Sequence, residues 1–176
     1  MNTSINDINF PVIEVPALLG NDIVTNTGHK FIVRKDTGKI LSCMTDNYRL
    51  VENKLINKKS EKVIKKNGGI LKEVQMFGGG ARSMVKWEFP NHKVTIGKKD
   101  ELTPEIVWQN SYDGTIGLNI IAGAFRLICL NGAVIGVVAT KYKNKHIVQN
   151  MKLDDVEGVI DETITKTKII MKEEFP

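Results

Sequence analysis

From Arg82 to Phe89 apolar and polar side chains alternate without a break: Val85, Trp87 and Phe89 fall on one side, Arg82, Met84, Lys86 and Glu88 on the other. A period of two fits a strand with one buried face and one charged face, so this chain must build a sheet with a core behind it. Further β-prone runs surround it at 70–77 and 93–97, and glycine-dotted apolar runs follow at 115–129 and 133–139. Upstream, Phe31-Ile32-Val33-Arg34 and Lys39 to Met44 flank Lys35-Asp36-Thr37-Gly38, which predicts a hairpin.

Two stretches break the twofold period. Over 47–66, Tyr48, Val51, Leu55 and Val63 approximate an inward stripe, Asp46 or Asn47 offers a cap, and Asn67-Gly68-Gly69 offers a stop. From Lys152 onward, Leu153, Val156, Ile160, Thr163, Ile164, Thr167, Ile170 and Met171 recur every three or four residues, which predicts a long C-terminal amphipathic helix. No stop signal follows it, so the chain is expected to be a short version of something longer, or to pack this helix on another subunit. The expected fold is α+β: an antiparallel β-meander packed against helices, with an N-terminal hairpin. Pro11 and Pro16 make 1–28 an irregular lead-in and leave 29–176 as a single domain.

Composition excludes several classes. The 176 residues are 41% hydrophobic and 26% charged, which rules out disordered, collagen-like and coiled-coil chains. No apolar run approaches the ~20 residues of a membrane span, and the first ten residues lack a secretory layout. A soluble cytoplasmic protein, without membrane contact, is expected. Cys43 and Cys129 lie in apolar stretches without CxxC spacing and read as buried reduced thiols.

Charge is unevenly spread. Residues 1–45 carry 4 basic and 4 acidic groups, 46–99 carry 13 and 5, and 100–176 carry 8 and 11, giving net charges of 0, +8 and −3. Most of the central excess is Lys54, Lys58, Lys59, Lys62, Lys65, Lys66 and Lys72. At helical spacing the lysines of 54–66 form a band able to attract a polyanion by counterion release, or simply a solvated face.

Catalytic signatures are sparse. His29, His92 and His146 lack metal-ligand spacing, and neither a metal nor a cofactor is expected. Gly78-Gly79-Gly80 has no phosphate-loop spacing and reads as a turn or bulge. Asn110-Ser111-Tyr112-Asp113-Gly114-Thr115 reads as a turn, or as a polar loop with Asp113 orienting Arg126. Arg82 and Arg126 can fork onto phosphate, and Tyr48, Trp87, Trp108, Tyr112 and Tyr142 can stack on bases, although Trp87 belongs by its alternation to the core. Lys141, Lys143, Lys145 and His146, interleaved with Tyr142, make a second basic patch.

The segments Met44 to Asn53, Gly78 to Arg82, Asn110 to Thr115, Phe125 to Gly132 and Lys145-His146 together resemble a known family. It comprises the bacteriophage and plasmid proteins grouped as domain of unknown function nine hundred and thirty-two, often labelled phage/plasmid-like protein. The resemblance covers about residues 28–150; Ile147 stands where the family usually has threonine. More distantly, the order of hairpin, helix, meander and helix is similar to the single-strand annealing recombinases that form rings. That likeness implies a curved antiparallel sheet on helices, edge-to-edge subunits and single-stranded DNA in a basic groove.

Three functions are therefore expected from the sequence. The leading one is a phage-type single-stranded nucleic-acid-binding and annealing protein, a homo-oligomer or ring acting on single-stranded DNA, or RNA, without catalytic residues. Its expected backbone contacts are Lys58, Lys59, Lys62, Lys65, Lys66, Arg82, Lys86, Arg126, Lys143 and Lys145. The second is an enzyme acting on nucleotides or nucleic acid through Asn110, Asp113, Arg126, Cys129 and His146; Asn110, Ser111, Asp113 and His146 form a polar cluster of undetermined role. The third is a phage anti-defence or host-partner-binding protein that docks through the C-terminal helix.

Overall fold

A computed structural model describes residues 3–20, 25–96, 100–127 and 134–144, and in the C-terminal stretch Gly158, Asp161, Glu162, Ile164–Lys166 and Ile169. For 94–96, 100–102, 124–127 and 134–144 it describes the backbone alone.

The described chain is mixed but mostly strand, in two antiparallel sheets. Strands β1 (Val12–Leu19), β2 (Thr25–Arg34) and β3 (Ile40–Thr45) form the first, in that order. The helix α1 (Asn53–Lys66) follows. Then β4 (Ile70–Phe77), β5 (Arg82–Glu88), a short ribbon of β6 (Val94–Ile96) and β7 (Asp100–Leu102), β8 (Pro104–Ser111), β9 (Leu118–Leu127) and β10 (Val134–Asn144) complete the chain order. The second sheet has the order β10-β9-β8-β5-β4, a meander interrupted only by the β6–β7 ribbon.

The expected strands and hairpin are present. The segment expected to be an irregular lead-in is not irregular, because Val12–Leu19 pairs antiparallel with β2. Pro16 is tolerated there since β1 is an edge strand, where a missing N–H breaks no ladder on the outer side, and a bulge between Pro16 and Leu18 absorbs the misfit.

The second sheet buries one face. Ser83, Val85 and Trp87 of β5, Ile106 and Trp108 of β8, and Leu118, Ile120 and Ala122 of β9 point into the main core. Ile56 and Ile64 of α1 pack against this face, together with Ile8 and Ile164. The C-terminal residues that are described are helical, and Ile164 belongs to this core; the remainder of the expected helix at 153–171 lies outside the described residues. A second cluster, Phe10, Val12, Ile32, Tyr48 and Tyr112, joins the first sheet to the end of β8.

Helix α1 begins six residues later than expected, and neither Asp46 nor Asn47 caps it. Glu52 stands at the N-cap position without a side-chain hydrogen bond. Instead the phenol of Tyr112 accepts the N–H of Asn53 at 2.9 Å, so a distant strand end satisfies one of the helix's orphan donors. The expected stop is present: Gly69 N–H reaches Ile64 O at 2.9 Å and Gly68 N–H reaches Lys65 O at 3.0 Å, with Gly68 at φ +81°, a Schellman motif. The buried stripe is also not the expected one. It runs Asn53, Ile56, Asn57, Ser60 and Ile64, three of the five polar, whereas Leu55 and Val63 are only half-buried.

Candidate nucleic-acid interface

The polar stripe of α1 explains how the helix is fixed. The Asn53 side-chain amide donates to Ile8 O and to Ser83 Oγ, each at 3.0 Å, and its carbonyl oxygen accepts from Asn110 at 2.8 Å. Asn110 also donates to Val51 O at 3.0 Å. Tyr48 OH donates to Ser111 O at 2.9 Å. Burial pushes the phenols of Tyr48 and Tyr112 well above their ordinary range; for Tyr48 the nearby Tyr112 and Asp113 add to the rise, and for Tyr112 it outweighs the lowering by the Asn53 hydrogen bond. Asn110 and Ser111, expected within a polar active cluster, are 1% and 0% exposed and hold elements together.

Asp113 has Arg82 as its described ionic partner, and the side chain of Arg126, the partner expected for it, is not described. Its Oδ2 lies 3.5 Å from Arg82 Nε, and its Oδ1 accepts the N–H of Thr115 at 3.0 Å, closing an Asx turn. Arg126 pairs through its backbone with Ile135 in the β9–β10 ladder, and its side chain lies outside the described residues, as do Cys129, Lys145 and His146. Of the groups that the enzyme reading brings together, Asn110 and Asp113 are described, while the side chains of Arg126, Cys129 and His146 lie outside the described residues. Among the described residues no group of histidine, cysteine and carboxylate side chains has the arrangement of a metal site. Cys43, expected to be buried, is an exposed free thiol on β3.

The lysines divide between two surfaces. Lys54, Lys58, Lys62 and Lys65 line an open groove of about 490 Å³ on α1, with Asn9, Asn57 and Glu61. All four are exposed, as is Lys66, while Lys59 is half-buried. The only acid on this helix is Glu61, which bridges Lys65 one turn on, an exposed pair worth little once screened. Asn57 donates to Asn9 at 2.6 Å, yet its own carbonyl oxygen is buried without a partner.

Arg82 and Lys86 project from the opposite face of the sheet, away from α1. Lys86 lies 3.4 Å from Glu73 and 3.9 Å from the buried Glu105. Lys72, thrown onto this face by a bulge in β4, bridges Glu88 at 2.9 Å and Glu105 at 2.7 Å. Burial opposes the charged form of Lys72, but the hydrogen bonds to Glu105 and Glu88 outweigh it and raise its pKa. The α1 lysines and Lys86 therefore lie on opposite sides of the second sheet, and Lys86 is already matched by acid. Lys143 is the backbone partner of Asn119 in β10 and its side chain is not described.

Sequence reasoning missed Asn53, Asn57 and Ser83, because a buried amide or hydroxyl on a helix or strand leaves no periodic mark. The trough of Lys54, Lys58, Lys62 and Lys65 was legible from its three- and four-residue steps. Among the described residues, no helix is long and apolar enough to cross a membrane.

Among known families, the model for Domain of unknown function (DUF932) matches residues 40–171, three quarters of the chain. No curated protein and no solved structure matches.

Proposed function

We propose that this protein, which belongs to the DUF932 family, binds the sugar-phosphate backbone of single-stranded nucleic acid along the lysine face of α1. The observation that supports the reading is the groove itself: four exposed ammonium groups, spaced by helical turns along one open trough, with a single glutamate among them. Such a surface attracts phosphates without reading sequence, and leaves bases free to pair with a second strand. Annealing by a multimer of a phage-type protein inside a bacterial host is the fullest form of this reading. It needs no catalytic group.

The test is a fluorescence anisotropy titration with a short single-stranded DNA and its RNA counterpart. Lys58→Glu combined with Lys62→Glu is expected to abolish binding. Lys35→Glu, a charge reversal in the exposed β2–β3 turn, is expected to leave it nearly unchanged. Equal loss in both variants would indicate nonspecific attraction by net charge, and absence of binding by the unaltered protein would refute the reading.

A further inference from the structure

The first sheet carries its charges on the side that closes over a core and its apolar side chains on the other. Glu14, Lys30 and Arg34 share a side with Ile32, which is buried in the cluster with Phe10, Tyr48 and Tyr112. Glu14 and Lys30 pair there at 2.8 Å, and Arg34 stacks over Phe10. The opposite side holds two rows that cross all three strands: Ile13, Val33 and Ile40, then Val15, Phe31 and Cys43. None of the six is charged. An antiparallel sheet with one solvated face turns polar side chains outward, so this face has the composition of a sheet interior.

The face is nevertheless open. Ile13 and Val15 are each 39% exposed, Ile40 is 57% exposed, and Cys43 is an exposed free thiol, while Phe31 and Val33 on the middle strand are half-buried. Leu18 and Leu19 follow on β1, both exposed; successive side chains of a strand point to opposite sides, so one of the two extends the same face. Three strands ~4.8 Å apart, with the eight residues of β1 at ~3.3 Å each, give it an area of about 400 Å². Uncharged patches of that size mark interaction sites, and two of them stacked together cover about 800 Å², which suits a weak and reversible association and not a permanent one.

The two ends of the face differ in charge. Lys35 and Lys39 leave the β2–β3 turn positive, since Asp36 is matched by Arg34, whereas the exposed Asp46 lies at the far end of β3 beside Gly28. We propose that this face pairs with the same face of a second copy of the chain, sheet on sheet about 10 Å apart, in a weak two-fold dimer. A flat, uncharged surface has nothing with which to select a charged partner, but it complements itself. A two-fold axis that reverses strand direction lays each copy's basic turn over the other's acidic end, so the charge asymmetry favours that pairing. None of the α1 lysines belongs to this face, and the inference does not rest on strand binding.

Sedimentation velocity of the intact chain, from a few micromolar to several hundred micromolar, is expected to show one chain passing into two. Alkylation of Cys43, followed by peptide mass spectrometry, should slow severalfold across that range, because the exposed thiol is covered in the pair. Val15→Thr with Ile40→Thr keeps β-branched side chains on both strands and should weaken association by about tenfold or more, restoring rapid alkylation at high concentration. Lys58→Glu with Lys62→Glu should dimerise as the unaltered chain does, so failure here and failure of strand binding are read separately. A single chain at every concentration, a mass that rises beyond two chains, Cys43 alkylation independent of concentration, or association unaltered in the correctly folded Val15→Thr, Ile40→Thr variant would overturn the proposal. Should that variant not fold, the Cys43 rate in the unaltered chain decides alone.

Discussion

Asn53 shows how much of this structure depends on single buried polar side chains. Its backbone N–H meets Tyr112, and its side chain reaches Ile8, Ser83 and Asn110, so the start of α1, the N-terminal segment and two strands of the second sheet converge on one amide. Asn53→Leu is of similar volume but leaves Asn110 and Ser83 without their partner inside the core. We expect a loss of about 2–4 kcal/mol in urea denaturation, from unsatisfied buried groups. The phenols of Tyr48 and Tyr112 supply a pH test. Their folded-state pKa values are raised by burial above the unfolded value of ~10, so the folded state holds these protons more firmly than the unfolded chain. Stability is therefore undiminished by them below about pH 10 and falls as the pH rises beyond it. In a Tyr142→Phe background, phenolate absorbance should accordingly appear together with unfolding instead of before it. None of this was readable in the sequence: Asn110 to Thr115 announced a turn, but not that Tyr112 and Asn110 reach α1, because those contacts span more than fifty residues.

Elements differ in how far they are decided locally. Strand β5 was legible because alternation and burial coincide at Ser83, Val85 and Trp87. The start of α1 was not, since its cap comes from Tyr112 and not from a neighbouring side chain. Strand β1 was hidden by Pro16, which is harmless only on an edge. The Gly78-Gly79-Gly80 turn was read correctly as structural, and the structure shows what it does: Arg34, stacked 3.9 Å over Phe10 and paired with Asp36, donates to Gly79 O at 3.4 Å, and Lys39 donates to Gly78 O at 3.2 Å. The turn thus docks onto the first sheet. Gly80 has φ +111°, and a Cβ there would lie 2.6 Å from Phe10 Cζ. Gly80→Ala is expected to cost about 2 kcal/mol or more in denaturant unfolding, from backbone strain added to the clash. By contrast, Lys58→Gln and Lys62→Gln sit on an exposed helix face and should each alter stability by no more than about 0.5 kcal/mol.

For the whole molecule, the described basic side chains of α1 and β5 within the +8 central segment lie on two surfaces and not one. Summed charge carries no information on direction: the sheet separates Lys86, matched by Glu73 and Glu105, from the lysines of α1, which keep a largely unopposed field. The proposed interface is therefore narrower than the sequence suggested, and its strength can be stated in phosphates. The most direct measurement is the dependence of single-strand affinity on salt. Four groove lysines predict a slope of about −3 in log K against log salt concentration, and Lys58→Gln with Lys62→Gln should reduce its magnitude by about 1.4. A slope near zero, or one that the double substitution leaves unchanged, would contradict the assignment of strand binding to α1.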